Sequence, residues 1–283
     1  MYREDPSHLT EINGIPFITF PVLEQIPFIR HAFSTRLGGV STGIYSSMNL
    51  NDDRGDDPAA VMENFRLVAK ALHTQCGRMV RSDQTHTSNV RIVTEEDAGK
   101  GLTRDRDYQD VDGMITNVPG LMLVTSHADC VPLFFVDPVH RAIGMTHSGW
   151  KGTWKRIGKV TVEKMCAEYG SDPKDIIAVI GPSICRDCYE VGEELLDAFR
   201  EEFSEEQCQT FFSPGKSGKY QLDLWEANRL ILEEAGLLPE NITVSGLCTS
   251  CKSDLLWSHR KTKGQRGGLC AFLELIPEDT DCE

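Results

Sequence analysis

Apolar residues recur along this chain with two different periods. Val61, Phe65, Val68 and Leu72 fall at helical spacing behind Asp57 and Pro58, with Gly77 just beyond. Aspartate suits an N-cap and proline a first turn, so the spacing predicts a helix opening at Pro58. Val191, Leu195, Phe199 and Phe203 make a second stripe of this kind. Asp223 with Glu226 resembles a capping box, Leu224, Ile231 and Ala235 follow on one face, and Gly236 marks a stop. A further helix is expected from Trp154.

Between these stripes lie short β-rich runs at residues 90–93, 114–116, 121–125, 131–136, 142–145, 176–180, 242–244 and 269–273. Several are apolar at every position, which predicts strands covered on both faces. Strands crowd the middle of the chain without strict β/α alternation. The fold class expected is therefore α+β with mixed β-sheets, not a doubly wound Rossmann fold. Gly38-Gly39 and the 264–268 stretch match neither a dinucleotide fingerprint nor a P-loop. No linker divides residues 1–283, and the polar ends, 1–12 and 277–283, are expected to fray.

A formal net charge of −14 argues against a nucleic-acid surface, because phosphate backbones demand a basic one. No apolar run approaches the roughly 20 residues that span a bilayer. The first residues lack the basic and apolar regions of a secretory signal. A cytoplasmic location follows as the expectation, with the ten cysteines as thiols or metal ligands in preference to disulfides. Nothing in the pattern specifies an oligomeric state.

Three polar segments interrupt the apolar runs. Ser126-His127-Ala128-Asp129-Cys130 lies between two of them and reads as a tight turn. Thr146-His147-Ser148-Gly149-Trp150-Lys151 follows the 142–145 run, and Arg81-Ser82-Asp83-Gln84-Thr85-His86 precedes the 90–93 run. His86, Cys130 and His147 thus stand at strand ends. Two imidazoles and a thiolate suit Zn²⁺, and three protein ligands leave a fourth position for water or substrate. Asp129 beside the thiolate is placed to orient a ligand or move a proton. His127 reads as structural, and His8, His31, His73, His140 and His259 take no metal role. Arg36, Lys151 and the Arg260-Lys261 pair are candidate anion holders, with a solvated surface cation as the plain alternative.

Two rivals use overlapping residues. Cys130 with His147 as base would make a thiol hydrolase. Cys185-x-x-Cys188 with Cys248-x-x-Cys251 would make a Cys₄ site, although their separation far exceeds that of a compact zinc ribbon and buried thiols suffice.

The ordered segments Ser34 to Gly43, Ser47 to Leu50, Gln84-Thr85-His86, Ala128 to Pro132, His147 to Gly152, Gly181 to Ile184 with Cys188 to Val191, Cys248-Thr249 and Ser258 to Arg260 resemble the YfiH-type proteins. These are variously called laccase-domain proteins, polyphenol oxidases and purine nucleoside phosphorylases. The resemblance runs from about residue 15 to 275. It implies a single domain of α/β/β/α layers and a zinc site of His86, Cys130 and His147. It also implies phosphorolysis of adenosine, inosine and methylthioadenosine, with adenosine deaminase activity beside it. Arg36 and Asn49 match pocket positions, and Arg260 an anion contact. The family's usual arginine after His-x-Gly-Trp is Lys151 here, a point charge without a bidentate fork. Alternatives are a Cu²⁺-dependent polyphenol oxidase, an amidase acting on a peptidoglycan precursor, and a non-catalytic zinc-binding module.

Overall fold

Alternation along single strands shows how the chain builds its layers. In the strand Leu269–Leu275, Leu269, Ala271, Leu273 and Leu275 enter one core while Cys270 and Phe272 enter another. In Val131–Asp137, Phe134 and Val136 face that first core and Val131, Leu133 and Phe135 a third. A strand buried on both faces must be apolar throughout, which is why these runs show no polar alternation.

The computed structural model describes residues 7–277. Two six-stranded mixed sheets pack face to face. The first runs His8–Ile12, Ile15–Thr19, Ile29–Ser34, Leu269–Leu275, Met122–His127, Met79–Arg81. The second runs Ile242–Val244, Ile177–Ile180, Val131–Asp137, Ala142–Ser148, Gly113–Thr116, Val90–Ile92. One core fills the space between the sheets. Another lies between the first sheet and the helix Pro58–Ala71. The third lies between the second sheet and the helices Ile157–Tyr169, Glu193–Arg200 and Leu224–Glu234. The order is helix, sheet, sheet, helix, as the resemblance implied, and all eight expected β runs fall on strands. No described helix is long and apolar enough to cross a membrane.

Local signals acted as expected where they were strong. Asp57 accepts a hydrogen bond from the Ala59 N–H at 2.9 Å, and Asp223 caps its helix through Trp225 and Glu226 N–H. Three expectations need correction. Residues 8–12 do not fray: they pair with Ile15–Thr19 as an edge hairpin. Residues 1–6 and 278–283 lie outside the described part. The 191–203 stripe is not one helix, since Val191 sits in a strand and only Glu193–Arg200 is helical, although Val191, Phe199 and Phe203 share one core. The helix expected from Trp154 is two helices, Trp150–Trp154 and Ile157–Tyr169, broken where Arg156 takes φ 56°.

The first sheet also buries an imidazole. His31 is 7% exposed, stacks on Phe20 and accepts the Phe20 N–H at 2.9 Å through Nε2. Burial pulls its pKa down to about 4. The unfolded chain then binds the extra proton between about pH 6.5 and 4, so stability falls as pH falls through that window, by about 3 kcal/mol. We expect His31→Gln, which keeps an acceptor and removes the titration, to flatten that part of the profile in urea unfolding between pH 7 and 4.5. Parallel wild-type and variant profiles would show that His31 does not titrate there.

Candidate metal centre and its cavity

The chain passes between the sheets at residues 82–89, from Met79–Arg81 to Val90–Ile92, and again at residues 128–130, from Met122–His127 to Val131–Asp137. Gln84 ties the first crossing to the strand that leads into the second. Its Nε2 donates to the Ser126 carbonyl at 2.7 Å, and its Oε1 accepts the Ser126 N–H at 2.6 Å. His86 stands on the first crossing and Cys130 on the second. His147 comes from the Ala142–Ser148 strand, beside them. The three donor atoms lie within 4.8 Å of one another.

Asp112 holds this group. It is wholly buried and heads the strand Gly113–Thr116. Its carboxylate accepts N–H groups of Thr85 (3.1 Å), His86 (3.1 Å) and Thr87 (2.7 Å), and the Thr87 hydroxyl (2.9 Å). It also accepts His147 Nδ1–H at 2.9 Å. Burial alone would raise this carboxyl, but the His147 imidazole and the Thr87 donors outweigh it and hold the pKa at about 2. The bond to Nδ1 fixes the tautomer and leaves His147 Nε2 free as a ligand atom.

Cys130 is shaped by its neighbours. Burial would raise its thiol, yet the His147 and His86 rings bring it down to about 6. Conversely, burial would lower His147, and the Cys130 and Asp112 charges raise it to about 9. Both shifts favour a thiolate beside an imidazolium, and a divalent metal would take the proton's place between them. His127 is differently placed. A carbonyl only accepts, so Nδ1 donates to Cys130 O at 3.1 Å and Nε2 accepts the Thr125 hydroxyl at 2.8 Å. Burial keeps this ring neutral, and both its nitrogens are occupied.

Two backbone positions mark the site. His86 has φ 65° and Asp129 φ 87°, left-handed conformations that cost a non-glycine residue about 1–3 kcal/mol. Asp129 is held there by the Thr249 hydroxyl at 2.6 Å and the Arg260 N–H at 2.7 Å, one on each carboxylate oxygen. Gly149 is required by space: a Cβ there would lie 2.9 Å from Cys130 Sγ and 3.0 Å from His86 Cδ2.

His86, Cys130 and His147 open into a cavity of about 450 Å³. A shallower depression against residues 101–110 adjoins it through Asp52, Asp83 and Arg106, with no His or Cys in its lining. The cations lining the 450 Å³ cavity are Arg54, Arg81, Arg106 and Arg266, and none was singled out as an anion holder from sequence. Arg81 pairs bidentately with Asp52, both bonds 2.9 Å, and Arg106 with Asp83 at 2.9 Å. Arg266 pairs with no carboxylate among the described residues. It is 8% exposed, its Nη1 donates to Gly267 O at 2.9 Å, and its Nε is buried without a partner.

The anion holders expected from sequence, and the pocket residue Asn49, sit elsewhere. The Arg36 guanidinium stacks on Trp257 at 3.8 Å and donates to Ser253 O at 2.8 Å. Asn49 is buried and holds the 49–56 loop, accepting Asn51 and Gly268 N–H. Lys151 is exposed beside Trp150. Arg260 is exposed, and it donates to Glu190 O at 2.8 Å. None of the four lines the cavity. Asp112 was missed because Asp112-Gly113 reads as a turn dipeptide, and nothing in its spacing marks it as an acceptor for residues 85–87.

Asp112→Asn removes the charge that orients His147 and seats the 85–87 backbone. We expect it to weaken divalent-metal binding by about 10- to 100-fold, read by competition with a chelator. Unchanged affinity would show that those contacts do not support the donor group.

Comparison with known proteins agrees with this architecture. Residues 30–276 match the family described as multi-copper polyphenol oxidoreductase laccase. The chain is 41% identical over 245 residues to the purine nucleoside phosphorylase YlmD of Bacillus subtilis strain 168, covering 85% of this chain and 86% of that protein. It is 34% identical over 246 residues to the adenosine deaminase RL5 of an unknown prokaryotic organism, covering 84% and 93%. The crystal structure of the Bacillus licheniformis hypothetical protein YfiH superposes with a TM-score of 0.89 at 36% identity, covering 96% of this chain and 99% of that one. The chain therefore belongs to the multi-copper polyphenol oxidoreductase laccase family, among its YlmD- and YfiH-type members.

Proposed function

We propose that this protein is a cytoplasmic, zinc-dependent purine nucleoside phosphorylase, with residues 1–283 making one catalytic domain. Its substrates are adenosine, inosine and methylthioadenosine, with adenosine deamination as a side activity. The observation that carries the proposal is Arg266. A buried guanidinium with no carboxylate partner among the described residues lines the same cavity as His86, Cys130 and His147. Burying a cation is costly unless an anion meets it, and phosphate is the anion that phosphorolysis consumes. The cavity's volume suits a nucleoside-sized ligand. The names of the YlmD and RL5 relatives support the two activities.

In this reading His86, Cys130 and His147 would hold the zinc, which would supply a Lewis acid in the cavity. Cys130 acts as a thiolate ligand and not as a nucleophile. Arg266, with Arg54 nearby, orients hydrogen phosphate so that one of its oxygens attacks the anomeric carbon as the N-glycosidic bond breaks; the purine leaves with the bonding electron pair and takes up the proton that the phosphate gives up. Arg266 takes the role that sequence offered to Arg36, Lys151 or Arg260. Asp129 has both carboxylate oxygens engaged, so it positions the turn that carries Cys130. A laccase-like copper chemistry is less well supported: among the described residues only one group of candidate ligands contains histidine, whereas four-electron reduction of oxygen requires several copper ions acting together.

Adenosine incubated with phosphate should release adenine, and omission of phosphate should abolish that release. Arg266→Gln should raise the KM for phosphate by about 10- to 100-fold, the value of a charged hydrogen bond, while the KM for adenosine changes little. Inosine as the sole product, with or without phosphate, would replace phosphorolysis by deamination as the main reaction. An unaltered phosphate KM in the variant would remove Arg266 from the proposal.

A further inference from the structure

A second group of metal-ligating side chains lies outside the cavity. The thiols of Cys185, Cys188, Cys248 and Cys251 converge until all four sulfurs lie within 4.8 Å of one another, with Cys188 and Cys251 Sγ 3.5 Å apart. Their distance along the chain had spoken against such a site. The fold removes the objection. The strands Ile177–Ile180 and Ile242–Val244 are parallel neighbours, with Ala178 opposite Ile242 and Ile180 opposite Val244. Their outgoing segments therefore leave the sheet side by side. A parallel bridge continues between Ser183 and Cys248, with Thr249 N–H donating to Ser183 O at 3.1 Å. Cys185 and Cys248 are 63 residues apart, and so are Cys188 and Cys251. The bridge sets Cys248 opposite Ser183, two residues before Cys185, so the two Cys-x-x-Cys motifs start close together where the parallel segments leave the sheet.

We propose that these four cysteines bind a second metal, a single Zn²⁺ in a closed tetrathiolate site with a structural role. A tetrahedral ion with metal–sulfur bonds of about 2.3 Å sets its sulfurs about 3.8 Å apart, which fits this group. A cluster of several irons needs its sulfurs farther apart than these are. Two backbone donors already point at a sulfur: Cys185 N–H at 3.3 Å and Cys251 N–H at 3.4 Å from Cys248 Sγ. Such donors stabilise a thiolate and orient it. Four protein ligands leave no open position, so this ion serves structure and not turnover.

The ion's effect reaches the cavity through the chain. Ile184, next to Cys185, donates its N–H to Asp129 O at 3.0 Å. Thr249, next to Cys248, donates its hydroxyl to Asp129 Oδ1. A clip on these two loops therefore braces the left-handed Asp129 turn and, through it, Cys130.

Metal content of the full-length protein, purified without oxygen in zinc-supplemented buffer, tests this. We expect two zinc equivalents per chain in the wild type, one in Cys185→Ser/Cys251→Ser, and one in His147→Ala. Cobalt substitution of His147→Ala should show the intense sulfur-to-cobalt absorption of a four-thiolate ion. That reading decides the matter even where the double serine variant does not fold. One equivalent in the wild type with none left in His147→Ala would overturn the proposal. So would a Cys188–Cys251 disulfide in the anaerobically isolated protein.

Discussion

One buried carboxylate sets the geometry on which the site depends. Asp112 has no solvent contact, and an ionised carboxylate in such a place is tolerated only when donors surround it. Here three consecutive backbone N–H groups, one hydroxyl and one imidazole supply them. To aim three successive N–H groups at one carboxylate the 85–87 segment must curl, and His86 takes its left-handed conformation within that curl. The same carboxylate selects the tautomer of His147. A single charge thus places one donor through its backbone and another through its ring.

Cys130 is placed by a separate brace of the same kind. Asp129 spends both carboxylate oxygens on Thr249 and Arg260, and its own carbonyl accepts from Ile184. The strain of two left-handed residues is sustained by these contacts, which come from strands and loops far apart in sequence. Gly149 completes the arrangement by withholding a side chain where the sulfur and the His86 ring must approach.

What could be read from sequence follows from which interactions are local. The caps at Asp57 and Asp223 and the doubly buried strands leave their marks within a few residues. His86, Cys130 and His147 were legible because their residue types are expensive to place at the ends of apolar strands. Asp112 was not, because its partners lie about 25 to 35 residues away and its own surroundings read as a turn. Arg266 was given no anion role, because what distinguishes it is the lack of a carboxylate partner among the described residues, which no local pattern records. The cysteine pairs were discounted on spacing, a measure that parallel strand pairing makes irrelevant.

The crossings at residues 82–89 and 128–130 have a mechanical implication. His86 rides on one and Cys130 on the other, while His147 is rooted in the second sheet alone. The span between the donors is therefore tied to the roughly 10 Å gap between the sheets, and that gap is set by side chains such as Phe134 and Leu273. The inter-sheet packing acts as a caliper for the ligand group. Side-chain volume in the core between the sheets is thereby coupled to the spacing of the three donors.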